Sequence, residues 1–275
     1  MHPLGFCLAY VTPASVVAGL WLGGSGTFLT PVIAFIIIPL LDLIIGTEQQ
    51  NPTEEENKKL EEHLLFRWVL YLAVPMQVGI VVWGAYVVAQ VPLSMLELVG
   101  FVFSIGIMGA AIAINVGHEL CHRSLWYEKN MAKLMLLTVS YMHFYIEHRK
   151  GHHARVATWD DPASGRLGES VYAFWLRSVI YSFRSAWEIE TLRLKQKNLP
   201  FWSHYNQMLW FMILPILFAS GLALAFGWQA LPYFMVQSIL GFSFLEVINY
   251  IEHYGLERKE VTPGHYEGSE PLRHK

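Results

Sequence analysis

The stretch L-V-G-F-V-F-S-I-G-I-M-G-A-A-I-A-I-N-V-G-H-E-L-C-H, residues 98–122, decides how the chain is read. Its first twenty residues carry no Asp, Glu, Lys or Arg, and about 20 apolar residues are what a helix needs to cross a bilayer. The run then ends directly in His118, Glu119 and His122. On a helix, residues four apart share a face, so both imidazoles project together at the end of a membrane span. Outward from here, Met1 to Leu41, Trp68 to Leu96 and Tyr205 to Leu245 are equally free of charge. The first and last of these windows each hold two spans. Only 15% of the 275 residues are charged, against about a quarter in soluble domains. The fold class is therefore all-α and polytopic. Six spans are expected near 4–22, 26–46, 67–90, 93–116, 207–226 and 229–250, in a single membrane-embedded domain.

Basic residues orient the spans. Lys58, Lys59 and Arg67 fall between spans two and three, twelve more lie from Arg123 to Lys197, and four follow His253, which makes all nineteen. The opposite turns have none, so both termini and the region 118–205 are expected on the cytoplasmic side. Residues 131–147 are apolar enough to suggest a seventh span. About 17 residues is short for a crossing, and a crossing would put the histidines on either side of it on opposite membrane faces. They are expected as a helix buried at the interface. Gly23-Gly24-Ser25-Gly26 lacks the Lys-Ser/Thr ending of a phosphate loop and reads as an interhelical turn. Pro13, Pro31, Pro39, Pro75 and Pro215 lie within spans, where kinks are tolerated. Cys7 and Cys121 alone make no disulfide framework. No basic segment precedes the first apolar run, so no cleaved signal peptide is expected. The net charge of −3 gives no reason to expect a nucleic-acid partner.

The chemistry sits in three boxes. After H-E-L-C-H, the stretch I-E-H-R-K-G-H-H places His148 and His152 again four apart with His153 beside them, and N-Y-I-E-H-Y-G-L carries His253. An isolated histidine is ordinarily surface or core, and His2, His63, His143, His204, His265 and His274 are read so. Repeated four-residue spacing is different, because neighbouring imidazoles can share one ion. Neutral imidazole suits Zn, Cu, Fe and Ni alike. Six histidines exceed one zinc site and suggest two ions. Asn115, Glu119, Glu147, Asn249 and Glu252 accompany the boxes, with Asp161, beside Asp160, a further candidate. Such groups commonly hold the other ring N–H of a ligand histidine, although caps and turns use the same residues.

In this order and spacing, H-E-L-x-H, E-H-x-x-G-H-H and N-Y-x-E-H-Y-G-L resemble the integral-membrane alkane monooxygenases, as does D-D-P-A-S-G-R-L-G-E-S at 160–170. The resemblance covers nearly the whole chain. It implies a six-helix fold in the bacterial inner membrane and a non-haem di-iron centre. It also implies terminal hydroxylation of n-alkanes with O2 and electrons from rubredoxin, fed by its reductase and NADH. On the matching positions, His118, His122, His148, His152, His153 and His253 are the implied iron ligands. The family also carries a later R-H-x-x-H-H box, and this sequence reaches Pro271-Leu272-Arg273-His274-Lys275 without it. The chain is accordingly expected to be either a shortened form or catalytically incomplete by itself.

An alkane has no polar handle, so an apolar channel must select it, each buried methylene adding about 0.8 kcal/mol. Ala34, Phe35, Phe103, Ile107, Leu240 and Phe244 are candidate lining, though helix packing explains each one alone. Arg184, Arg193, Lys195 and Lys197 are candidates for docking an acidic electron carrier, or for touching membrane lipid headgroups. Three rivals stay open. H-E-x-x-H is also the zinc-protease signature, with Glu119 as general base, but it leaves four histidines unused. A metal transporter would want ionisable groups along its path. A desaturase or an aromatic-methyl hydroxylase would use the same boxes.

Overall fold

A computed structural model of the chain describes residues 3–46, 63–262 and 265–266. Lys58, Lys59, His2, Arg273, His274 and Lys275 lie outside the described residues. Six helices are long and apolar enough to cross a membrane: α1 Gly5–Leu22, α2 Gly24–Ile45, α3 Leu64–Gln90, α4 Met95–His122, α8 Gln207–Phe226 and α9 Ala230–His253. Between α4 and α8 lie α5 Trp126–Leu137, α6 over 144–155, and α7 Val171–Gln196. A two-stranded antiparallel ribbon pairs β1 Glu260–Thr262 with β2 His265–Tyr266. The protein is an all-α multi-pass membrane protein.

Two spans run past their expected ends. The apolar patterning suggests a stop near 116, yet α4 continues through the first histidine box to His122 and turns extended only at Arg123. Nothing between 116 and 122 breaks a helix, and loss of hydrophobicity alone does not end one. Likewise α9 holds Asn249 and His253 in its last turns. Residues 131–147 contain no helix long enough to cross. They are not one helix either, because α5 ends at Leu137 and Ser140 takes a positive φ of 50° before α6 begins. Twelve residues of α5 rise about 18 Å, short of the roughly 30 Å hydrocarbon core.

The contacts divide the chain into two units. The first comprises Met1–Met142 and Phe211–Phe244 and contains most of the spanning helices. Small and hydroxylic residues bring its helices together, as membrane helices require when lipid offers no hydrophobic gain. A Cβ on Gly100 would lie 2.3 Å from Thr27 Oγ1, and one on Gly84 would lie 2.2 Å from the Tyr233 hydroxyl. Ser104 donates to Thr27 O at 2.7 Å, and Tyr233 donates to Val81 O at 3.0 Å. The turn after α5 is anchored by Gln77 and Gln237, which donate to Thr138 Oγ1 and Thr138 O. Each satisfies a polar group that hydrocarbon would otherwise strand.

The second unit comprises His143–Trp210 and Leu245–Lys275. Here α6 packs on α7, whose N-cap Ser170 accepts from Ala173 N. The loop 156–170 is tied to the end of α9 and the residues after it. Gly255 N donates to Gly165 O at 2.8 Å, Arg258 N to Ala157 O at 2.7 Å, and the Tyr250 hydroxyl to Glu169 O at 2.6 Å. The 160–170 sequence is thus the clamp that holds the third histidine box.

Candidate metal centre

In the first unit, His118 and His122 sit on the last two turns of α4 with ring centroids 5.1 Å apart and planes at 87°. This is the expected four-residue pairing. Their acidic and amide neighbours are engaged elsewhere: Glu119 accepts from Arg123 at 2.6 Å, and Asn115 Nδ2 donates to Ala111 O at 3.1 Å. A zinc-protease reading asks Glu119 to be a general base, and here it is the i,i+4 partner of an arginine.

The second unit gathers the other four candidates. His148 Nε2 lies 3.0 Å from His153 Nε2. The His152 ring stands 5.5 Å from that of His148 and 5.0 Å from that of His253. The pairing differs from the expected one. His148 faces the residue five positions on, because 148–152 is a π turn. On a regular helix His148 and His153 would project about 140° apart; one wider turn brings them together.

Glu147 builds that turn. It is buried, and its Oε2 accepts from the His152 backbone N–H at 3.1 Å. Its Oε1 accepts from Arg155 at 2.7 Å and from Ser185 at 2.9 Å. Burial pushes the Glu147 carboxyl up even with Arg155 beside it. Gly151 is required by the same packing, since a Cβ there would lie 2.2 Å from Glu147 Oε1. Glu147 thus shapes the backbone beneath the histidines rather than holding an imidazole.

Asp161 takes the role expected of Glu147. It is 1% exposed, and its Oδ2 lies 2.9 Å from His152 Nδ1 while accepting from Ser164 at 2.6 Å. Burial would raise its pKa, but the bonds from His152, Ser164 and Ala163 hold it below the usual carboxylate range. For His152, burial disfavours the charge, and Asp161 together with Glu147 and Glu246 more than reverses that. His253 Nδ1 lies 2.9 Å from Asn249 O. A carbonyl can only accept, so Nδ1 carries the hydrogen and Nε2 of the neutral ring keeps its lone pair. Asn249 therefore acts through its backbone. Glu252 and Asp160 are exposed.

These donors suit an imidazole-bound ion. Metal–nitrogen bonds of about 2.1 Å put adjacent ligand atoms about 3.0–3.4 Å apart, and the His148–His153 separation falls there. Nδ1–H groups held by Asp161 and Asn249 O fix the tautomer that presents Nε2. Sequence reasoning missed Glu246, a carboxylate 2% exposed in α9 whose charge also favours protonated His152. A lone acid one residue beyond a charge-free window, seven before His253, was the available signal. His143 is buried against Phe183, and burial lowers its pKa to about 3, so it is a neutral core residue as read.

The fatty acid desaturase family model matches residues 94–271, which include all three boxes. The alkane 1-monooxygenase of Ectopseudomonas oleovorans is 39% identical over 269 residues, covering 96% of this chain and 67% of that protein. The chain belongs to this alkane 1-monooxygenase branch of the fatty acid desaturase family. Another member, from Acinetobacter baylyi, is 40% identical over 241 residues, covering 88% of this chain and 59% of the relative. The hydroxylase component XylM of the Pseudomonas putida xylene/toluene monooxygenase is 26% identical over 269 residues, covering 96% and 70%. The chain spans about two thirds of the length of the alkane monooxygenases it matches.

Family membership removes the protease and transporter readings. Of the candidate channel residues, Phe244 meets Phe35 at 5.5 Å and Phe103 at 6.0 Å between ring centroids, all within the first unit. Ile107 is buried, and Leu240 closes on Gly106. Among the docking candidates, Arg193 is held by Glu190 at 2.6 Å and donates to Tyr205 O, while Arg184, Lys195 and Lys197 are exposed.

Proposed function

We propose that the protein hydroxylates the terminal methyl of medium-chain n-alkanes to 1-alkanols, with iron held by His118, His122, His148, His152, His153 and His253. The overall reaction takes alkane, O2, two electrons and two protons to alkanol and water. The observation that carries the reading is the Asp161–His152 and Asn249–His253 tautomer locking beside the facing pair His148 and His153, in a chain whose relatives are alkane 1-monooxygenases. Two bound irons would supply the reductive activation of O2 that breaks an unactivated C–H bond, which no side chain can do alone.

The chain's own residues do the rest. Asp161 and Asn249 O orient imidazoles, Glu147 and Gly151 fix the π turn, and Phe35, Phe103 and Phe244 give an apolar wall for a substrate without polar atoms. Electrons come from a soluble carrier, which we assign to rubredoxin with its NADH-dependent reductase; Lys195 and Lys197 remain for docking it. The positive-inside pattern supports a cytoplasmic location for both termini and the histidine boxes, in the bacterial inner membrane.

The similarity to XylM supports one alternative, an aromatic methyl as substrate, with the same ligands and electron supply. Turnover separates the two. The iron-loaded protein with rubredoxin, reductase and NADH is expected to convert octane to 1-octanol faster than xylene to the methylbenzyl alcohol. NADH-coupled oxidation of xylene alone would replace the alkane reading, and oxidation of neither would end both.

A further inference from the structure

Outside the histidine cluster, the second unit contains a polar cavity of about 530 Å³ between the 155–166 segment and one stripe of α7. Four arginines line it, and they fall into two classes. Arg155 and Arg177 are neutralised, the first by Glu147 and the second by Glu169 through two bonds of 2.7 and 2.8 Å. The Arg166 and Arg184 guanidiniums form no ion pair within 4.0 Å among the described residues, although the Arg166 backbone N–H donates to Glu169 Oε2 at 3.1 Å and Arg166 Nη2 lies 3.5 Å from Trp159 O. Instead their guanidiniums rest on aromatic rings, Arg166 at 4.7 Å over Trp159 and Arg184 at 5.6 Å over Tyr181. Stacking leaves the edge N–H donors of a guanidinium free for an oxyanion.

The surface beside the cavity is apolar. On α7, Ile180 and Leu176 continue the i,i+4 ridge that starts at Arg184 and are 45% and 56% exposed, and the cavity's own Trp159 is 61% exposed. An acidic protein partner would meet these residues with nothing charged to pair. A lipid meets both halves, its phosphate at the guanidiniums and its acyl chain along Leu176 and Ile180. The setting agrees: α7 ends at Gln196 and the membrane-spanning α8 begins at Gln207, with Phe201, Trp202, Tyr205 and Trp210 between and just beyond. Such aromatics mark a bilayer interface.

We propose that this cavity is a headgroup site for an anionic phospholipid, whose phosphodiester is gripped by Arg166 and Arg184. Asp160 and Glu188, which also line it, would disfavour a second negative group and suit the hydroxyls of a phosphatidylglycerol headgroup.

The test uses the detergent-purified full chain and needs no knowledge of its activity. Phosphatidylglycerol is expected to protect Arg166 and Arg184 from phenylglyoxal, mapped by peptide mass spectrometry, where phosphatidylcholine at equal concentration protects them less. Native mass spectrometry should show phosphatidylglycerol retention falling by at least ~10-fold in the R166Q/R184Q double variant. The K195Q/K197Q variant, at the end of the same helix, should retain it. Equal modification of both arginines with and without phosphatidylglycerol overturns the proposal, and that arm requires no variant to fold. So does loss of retention in K195Q/K197Q to the same degree, which would mean general electrostatics. Protection by inorganic phosphate as strong as by the lipid would make this a free-phosphate site, and stronger protection by polyglutamate would make it a docking site for an acidic protein; either result displaces the lipid.

Discussion

Nε2 of His148 and Nε2 of His153 face each other at 3.0 Å although five residues separate them. The geometry comes from the π turn at 148–152, and Gly151 is where that turn can least be altered. A Cβ there would lie 2.2 Å from Glu147 Oε1 and 2.5 Å from Arg155 Nη2, both already fixed by hydrogen bonds. Gly151→Ala should therefore cost about 1–3 kcal/mol of stability by overpacking and reduce iron per chain more than that loss alone explains. Thermal unfolding together with metal analysis checks it; wild-type iron content in the Ala variant would show that the facing pair does not depend on the turn.

Asp161 offers a sharper separation of roles. It touches His152 Nδ1 but is itself anchored by Ser164 and Ala163, so Asp161→Asn should keep the loop and weaken the orientation of one ring. Loss of such an orienting partner typically costs about 10–100-fold in metal affinity. His152→Ala should lose more, since a donor atom disappears. Chelator competition on the two variants would decide, and equal losses would make Asp161 a ligand in its own right.

Much of this was legible because membrane spans and histidine spacing are local signals. Charge-free windows located all six spans, and the four-residue spacing located His118 with His122. The His148–His153 pairing was not legible, because it depends on Glu147 reaching forward to the His152 amide, which no periodicity announces. Asp161 was underestimated for a related reason. Its contact to His152 is created by the fold of the 156–170 loop, whereas Glu147, adjacent in sequence to His148, turned away toward Arg155 and Ser185. Adjacency in sequence proved a poor guide to which carboxylate holds which ring.

The buried Glu147–Arg155 pair should respond unequally to its two halves. Arg155→Gln leaves an unneutralised carboxylate that is 3% exposed, whereas Glu147→Gln leaves an arginine whose side chain is 31% exposed and can turn to water. Removing one partner of a fully buried pair costs about 3–5 kcal/mol; with Arg155 partly solvated, roughly half of that is expected for Arg155→Gln. Glu147→Gln should cost less in stability but still loosen the π turn. Denaturation midpoints of the two variants give the comparison, and a larger loss for Glu147→Gln would mean that the backbone bond to His152 outweighs the ion pair.

Acid should release the clamp on the third histidine box before it unfolds the spans. Glu169 accepts two bonds from Arg177, which first of all lowers its pKa against a smaller opposing effect of burial, and its backbone carbonyl receives the Tyr250 hydroxyl. A carboxyl whose folded pKa is depressed adds stability above its unfolded pKa, and that stability fades as pH falls through the folded value. The clamp should therefore hold at about pH 6 and weaken below about pH 4, the ordinary carboxylate range. Hydrogen exchange of the 160–170 backbone across that interval measures it. Glu169→Gln should show high exchange at neutral pH and little further change on acidification, and an unchanged acid response in that variant would assign the effect to another carboxyl.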